Sequence, residues 1–478
     1  MAEDSLAGHY QQPPARSTLS FPTPSLRMRH TFAVLMCCTL AALPVHANAQ
    51  QQERRPNVVL IITDDMGYGD LPSYGGTDLR TPNIDRLVRE GVRLTDFYAN
   101  GATCTPTRAG LITGRYQQRF ELEAPLGSYE PDRGRGLKPT GRSLPQLLKN
   151  GGYATGLVGK WHLGWKPEFS PIAHGFDSFF GFKSGYIDYY EHTYGPDSAD
   201  SADLFENDRK VVVPGYMTDL ITDRTVGFIE QHSRRPFFLD VAYNAPHWPY
   251  QVPGKPSVAR DGGRHLGPFD DSTSTRADYV AMIEQLDRGI GRILETIDRL
   301  GIRDNTIVIF TNDNGGEWLS RSGPLFHHKG TVWEGGIRVP AIVRWPGRIP
   351  AGSVSRQVGI TMDLTASILA ATGTPVPADA SLEGVNLFPM LEGRAPALER
   401  TLFWRVSLGR TQRAVRSGDW KLVLDGRAML FNLRDDVGER RNLIGEQTAV
   451  ARELLRKLEA WQKDVGPEVP PNAAARRS

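Results

Sequence analysis

Two apolar runs in this chain end alike. NVVLIITDD (Asn57 to Asp65) closes on Asp64 and Asp65, and NTIVIFTNDNGG (Asn305 to Gly316) reaches Asp313 and Asn314. Brought together, these four side chains offer hard oxygen donors with three negative charges. No His or Cys pair sits at zinc spacing, so a hard divalent cation suits them, calcium ahead of magnesium. Either pair alone reads more simply as capping or turn residues after a strand; two such pairs in one domain favour the cation. A second candidate is CTPTRAGLITGR (Cys104 to Arg115), a cysteine set among hydroxyl residues, a proline and two arginines. Its thiol reads either as a nucleophile, which needs a histidine base and a lowered pKa, or as a buried small hydrophobe.

The elements that must position these residues are legible. A continuous apolar run ending in acids reads as a strand buried on both faces, as in a parallel sheet covered by helices. TPNIDRLVREG is a helix stopped by Gly91, SLPQLLKNGGYATGLVGKWHLG a helix followed by a strand, and PFFLDVAYNAPHWP a strand entering a loop. DYVAMIEQLDRGIGRILETIDRLG is a long amphipathic helix feeding the second acid-tipped strand. This alternation predicts an α/β domain with a mainly parallel central sheet flanked by helices, with ligands beyond the carboxyl ends of its strands. After about residue 395, TLFWRV, RAVRSGDWKLVL and AMLFNL predict a small antiparallel sheet, and TAVARELLRKLEAWQKDV its packing helix. The expected organisation is an N-terminal extension and signal (1–49), a large domain (50–395), a small C-terminal α+β subdomain (396–465) and a disordered tail (466–478).

The first residues predict the compartment. Arg27 and Arg29 precede an apolar stretch from Thr31 to Leu43, and Ala47-Asn48-Ala49 forms a small-x-small site. This reads as a secretory signal, with an uncleaved anchor as the lesser alternative, and the residues before Met28 read as an upstream extension. The expected product is exported, periplasmic or secreted, with no membrane association once the signal is removed. Cleavage takes Cys37 and Cys38, so the mature chain keeps Cys104 alone and forms no internal disulfide. A formal net charge of +2 gives no bulk attraction for nucleic acid or anionic membrane.

CTPTRAGLITGR resembles the sulfatase signature, Cys-x-Pro-x-Arg followed by Thr-Gly-Arg, through Cys104, Pro106, Arg108, Thr113, Gly114 and Arg115. GYATGLVGKWHLG (Gly152 to Gly164) is similar to the second signature of that family, which belongs to the alkaline phosphatase superfamily. NDNGG, HHKGTVWEGGIRVP and APHWP follow the family's order, so the resemblance spans nearly the whole mature chain. It implies a formylglycine-dependent sulfuric ester hydrolase of the arylsulfatase or N-acetylgalactosamine-6-sulfatase type. Cys104 would be oxidised by a formylglycine-generating enzyme and hydrated to a diol, whose second hydroxyl allows sulfate to be expelled. The resemblance further implies one calcium held by Asp64, Asp65, Cys104, Asp313 and Asn314. Arg108 would hold the diol, Lys160 and Lys329 the sulfate, His162 would take a proton during elimination, and His247 or Lys329 would serve the leaving oxygen.

His327 and His328, as neighbours in extended chain, are expected to point apart and to be rim or structural residues. Arg115 reads as a support for the helix after Cys104, and Glu334 to Pro340 as either packing or contact. Two other readings stand beside sulfate ester hydrolysis: a phosphonate or phosphate monoester hydrolase of the same superfamily, and a catalytically silent protein that grips sulfated glycans. The substrate is expected to be a sulfated glycan or small aryl sulfate, the glycan favoured. It would be read by the tyrosine-rich Ser184 to Asp208 segment and the His247 to Asp271 insert.

Overall fold

The computed structural model describes residues 55–127, 134–194, 201–256, 260–261, 264–265 and 271–468. The expected extension and signal and most of the expected tail lie outside these residues, as do parts of the Ser184 to Asp208 and His247 to Asp271 segments expected to read the substrate. Among the described residues, four strands of six or seven residues are buried along their whole length: Asn57–Thr63, Ala154–Lys160, Phe237–Ala242 and Thr306–Asn312. In the first, alternate side chains enter opposite layers. Val59 and Ile61 join a core under the helices Met217–His232 and Arg276–Arg299. Val58, Leu60 and Ile62 join the core that holds the helices Cys104–Thr113, Leu144–Asn150 and Thr361–Ala371.

These strands are the centre of a ten-stranded sheet. Its order is Ser353–Ser355, Val92–Leu94, Ala341–Arg344, Thr306–Asn312, Asn57–Thr63, Phe237–Ala242, Ala154–Lys160, Ser178–Phe182, Phe205–Glu206, Arg209–Lys210. The five strands from Thr306–Asn312 to Ser178–Phe182 run parallel. Antiparallel pairing begins on both sides, at Ala341–Arg344 and at Phe205–Glu206. The sheet is therefore mixed, with the parallel centre that the apolar runs predict.

Register delivers the site. Thr63 pairs with Asn312, so Asp64-Asp65 and Asp313-Asn314 leave adjacent parallel strands at the same level. Lys160 ends the Ala154–Lys160 strand, and His247 follows five residues after Ala242. Gly159, just before Lys160, has φ +115°, and a Cβ there would lie 1.9 Å from the Ala242 carbonyl oxygen. Only glycine allows that approach of the two strand ends.

The C-terminal part is an antiparallel meander of Thr401–Leu408, Arg410–Ser417, Trp420–Asp425 and Arg427–Asn432. The helix Thr448–Val465 places Leu454, Leu458, Trp461 and Val465 against it at helical spacing. The same core takes in Tyr98, Val332, Trp333, Ile360 and Met362 from the large sheet's side, so one continuous apolar cluster joins the two sheets. No helix among the described residues is long and apolar enough to cross a membrane.

Candidate active site

Cys104 opens the helix Cys104–Thr113 and is buried, at 2 % exposure. Pro106 sits in the first turn, where its missing N–H costs no hydrogen bond. Gly114 ends the helix in the left-handed region, φ +67°, with its N–H donating to Gly110 O. Arg115 lies outside the centre, 3.9 Å from Glu383, as a support. Arg108 follows Cys104 by four residues and so shares its face of the helix.

The Arg108 guanidinium donates twice to Asp313 Oδ2, at 2.9 and 3.2 Å, and once to Lys160 O at 3.1 Å. It thereby ties the cysteine helix to two strand ends. The Cys104 thiol lies 3.7 Å from Asp64 Oδ1. Burial pushes that thiol up, with Asp313 and Asp64 adding to it against Lys160 and Lys329, so an unmodified thiolate is disfavoured here.

Four side chains offer ligand atoms all within 4.8 Å of one another: Asp64, Asp65, Cys104 and His247. Lys160 Nζ meets Asp64 Oδ2 at 2.5 Å, and Lys329 Nζ meets Asp65 Oδ2 at 2.6 Å. Burial raises the Asp65 carboxyl, but Lys329, His247 and Lys160 together hold it well below the usual carboxylate range. Asn314 Nδ2 donates to Asp65 Oδ1 at 2.7 Å. Asp313 Oδ1 and Asn314 Oδ1 are buried and have no hydrogen-bond partner. Burial and the nearby Asp64 push the Asp313 carboxyl up to about 7 against the pull of Arg108. Clustered carboxylates and two unsatisfied hard oxygens fit a divalent cation held by Asp64, Asp65, Asp313 and Asn314.

The two histidines are set by backbone carbonyls. His162 Nε2 donates to Leu126 O at 2.9 Å, which leaves Nδ1 as a lone pair, buried and without a partner. Burial, then Lys160, depresses its pKa well below 6.5, so the ring is neutral. The Thr105 hydroxyl donates to His162 O at 2.9 Å and accepts from Leu126 N at 3.2 Å, binding this segment to the cysteine helix. His247 Nδ1 donates to Trp248 O, and Nε2 faces Lys329 Nζ and Asp65 Oδ2, each at 3.4 Å. Asp64, Asp65, Cys104, Arg108, Lys160, His247, Asp313, Asn314 and Lys329 thus form one connected cluster, with Asp313 turned toward Arg108 and His247 taking its place beside Asp64 and Asp65.

His327 and His328 correct an expectation. Their ring centroids are 4.6 Å apart, because His327 adopts a left-handed backbone, φ +69°, and the chain there is not extended. Glu334 is buried among structural charges away from the centre, so packing is its role. Sequence reasoning missed two acids. Glu317, the residue directly after NDNGG, lies 3.4 Å from Lys329 Nζ, and its place in a strand-end loop was the available signal. Asp240 interrupts the apolar Phe237–Ala242 strand; burial pushes its carboxyl up to about 7, with Arg108 opposing, and Oδ1 has no partner. A lone charge in an apolar run was the sign.

Residues 56–374 match the Sulfatase family, and residues 324–464 match the C-terminal domain of N-sulphoglucosamine sulphohydrolase. The chain is 36 % identical over 417 residues to N-acetylgalactosamine-6-sulfatase of Mus musculus, covering 82 % of this chain and 76 % of that one. It is 34 % identical over 466 residues to arylsulfatase A of Bos taurus, covering 84 % and 86 %. Among solved structures it is similar to Ps i-CgsB in complex with k-i-k-neocarrahexaose, with TM-score 0.80, 28 % identity, and coverage of 88 % and 96 %.

Proposed function

The chain belongs to the sulfatase family and is a sulfuric ester hydrolase, and from that premise we propose that it acts on a carbohydrate sulfate through a formylglycine made from Cys104. The observation that carries the proposal is the position of Cys104, enclosed at the start of its helix between the Asp64 carboxylate and the Lys160, Arg108 and Lys329 cations. A formylglycine there supplies a geminal diol as nucleophile, with a second hydroxyl that a serine lacks. Calcium at Asp64, Asp65, Asp313 and Asn314 supplies Lewis-acid polarisation of the sulfate oxygens.

The chain's own groups do the rest. Arg108, braced on Asp313 and the Lys160 carbonyl, has its orientation fixed before substrate arrives, which lowers the reorganisation needed during reaction. Lys160 and Lys329 offset negative charge on the transferring sulfate. His162 accepts a proton at Nδ1, the nitrogen left free by the Leu126 hydrogen bond. His247 has its Nδ1–H engaged by Trp248 O, so its Nε2 carries only a lone pair toward Lys329. The proton for the leaving oxygen therefore comes from the Lys329 ammonium, with His247 Nε2 orienting it.

The carbohydrate assignment is supported by the names of the relatives, one acting on N-acetylgalactosamine 6-sulfate esters, and by the neocarrahexaose bound to the similar solved structure. Export and maturation by a formylglycine-generating enzyme complete the proposal. Mass spectrometry of the tryptic peptide Leu94 to Arg108, from protein made in its native host, tests it. Conversion of the Cys104 thiol to an aldehyde is expected; a wholly unmodified thiol in active protein would sink the mechanism.

A further inference from the structure

Among the described residues, Lys329 differs from the other two cations of the centre in its partners. Lys160 is ion-paired to Asp64 and Arg108 to Asp313, both proposed cation ligands. Lys329 Nζ also meets a proposed ligand, Asp65 Oδ2 at 2.6 Å, but a second carboxylate oxygen, Glu317 Oε1, stands 3.4 Å away. Glu317 belongs to no ligand set given above. The pair is nearly enclosed, with the side chains of Lys329 and Glu317 13 % and 15 % exposed. Taking an acid so far out of water is costly, and Lys329 already has a partner without it.

The backbone holds the pair together. Lys329 N donates to Gly316 O at 3.0 Å, joining its loop to the residue before Glu317. Glu317 O accepts from Ser320 N at 3.0 Å and from Ser320 Oγ at 2.5 Å, which closes a turn after it. A Cβ on Gly316 would lie 2.6 Å from Gly67 Cα, so this loop is pressed against the segment that follows Asp64 and Asp65. Gly330 N, next to Lys329, donates at 2.8 Å to the carbonyl of Ala102, two residues before Cys104. Glu317, Lys329 and the helix of the nucleophile are thus fixed to one another through main chain.

Lys329 has a task that the other cations lack. Lys160 and Arg108 act as fixed charges, which tolerates some play. Lys329 gives a proton to the leaving oxygen as the ester S–O bond breaks and its electron pair moves onto that oxygen. Such a transfer needs the donor on a defined line, and a misplacement of about 1 Å can cost about a hundredfold. Asp65 is shared between Lys329, Asn314 and the proposed cation, and His247 Nε2, at 3.4 Å, offers only a lone pair. Glu317 is the anionic anchor that stands outside the ligand set.

We infer that Glu317 is a positioning residue for the hydrolysis, its carboxylate holding the Lys329 ammonium in line with the leaving oxygen; the inference rests on the proton-donor role given to Lys329 above. The test compares kcat/KM, which reports the ester-cleaving step, for phenyl sulfate and para-nitrophenyl sulfate on the full matured chain. Phenolate needs the proton far more than nitrophenolate, whose charge spreads into the nitro group. Glu317→Gln is expected to cost at least about tenfold more on phenyl sulfate than on para-nitrophenyl sulfate, part of the about 10²–10⁴ that a general acid supplies. Glu317→Asp, which keeps the charge one methylene further back, should show the same selectivity at smaller size. In a Lys329→Met background, Glu317→Gln should add less than about twofold, because the two act as one unit. In calcium-loaded crystals of Glu317→Gln, the Lys329 ammonium should have moved away from His247 Nε2. Full additivity with Lys329→Met, an ammonium left in place, or a Glu317–calcium bond in the unsubstituted chain overturns the inference. So do equal losses on the two esters from Glu317→Gln where Lys329→Met separates them. Should Lys329→Met itself fall equally on both esters, the donor role proposed above fails, and additivity in the cycle still decides whether Glu317 positions Lys329.

Discussion

At the reaction centre, Asp64, Asp65 and Asp313 are buried against Lys160, Lys329 and Arg108. Where the C-terminal sheet meets the large one, Asp96, Glu334 and Glu439 are buried against Arg338, Arg416 and Lys421. Three acids face three bases in each, so charge count does not distinguish them. The junction comes nearer to closing on itself. Glu334 accepts from Lys421 at 2.8 Å, from Tyr98 OH at 2.7 Å and from Arg338 at 3.1 Å, and Lys421 Nζ also lies 2.8 Å from Glu439 Oε1. The centre leaves three buried atoms without a hydrogen bond, Asp313 Oδ1, Asn314 Oδ1 and His162 Nδ1, against one in the junction, Glu439 Oε1, which still has the Lys421 ammonium beside it. A buried network that pairs most of its own groups holds two sheets in register; one that leaves more donors and acceptors unused is prepared for something else to bind.

The contrast breaks most sharply at Cys104. Cys104→Ala should lower kcat by up to about a millionfold, the scale of losing a nucleophile, with little change in the denaturation midpoint. Residual sulfate release near the unsubstituted rate would place the nucleophile elsewhere. Next in size is His162→Gln, for which a fall of about 10²–10⁴ in kcat is expected from losing a general base. His174 is the matched control: its Nε2 also donates to a backbone carbonyl, Leu137 O at 2.9 Å, yet His174→Gln should leave kcat where it was.

Lys421→Met turns the comparison round. It strands Glu334 and Glu439 without their shared cation and should destabilise the fold by about 3–5 kcal/mol, read by denaturant unfolding, while KM of the surviving folded protein stays unchanged. A KM shift larger than the stability loss would show that the junction reaches the site. The smallest effect concerns pH. Burial, opposed by the hydrogen bond to Leu137 O, pushes the His174 pKa down to about 4 from 6.5. Between those values the unfolded chain binds the proton that the folded chain refuses, so stability falls as pH drops from 6.5 toward 4, by at most about 3 kcal/mol. His174→Gln should flatten that part of the stability profile; an unchanged slope would assign it to other groups.

Much of this was legible in the chain. Apolar runs as long as a strand and tipped with Asp-Asp or Asp-Asn announce buried parallel strands with donors at their ends. The four-residue step from Cys104 to Arg108 puts both on one helical face. The antiparallel flanks at Ala341–Arg344 and Phe205–Glu206 were not legible, because strand direction depends on the return path of the chain and leaves no periodic mark. His327 and His328 were misjudged because backbone handedness at a single residue is set by its surroundings.

The sequence by itself determined the inventory: the α/β core, the small C-terminal sheet, the sulfatase signatures and the side chains able to do the chemistry. Local patterns suffice for these, since burial and helical or strand period are written in neighbouring residues. Tertiary structure decided how the inventory is used. It left Nδ1 of His162 unbonded by offering Leu126 O to Nε2, gave Arg108 to Asp313, and set His247 beside Asp64 and Asp65. Those choices depend on distances of a few ångströms between residues far apart in the chain, which only the packed strands establish.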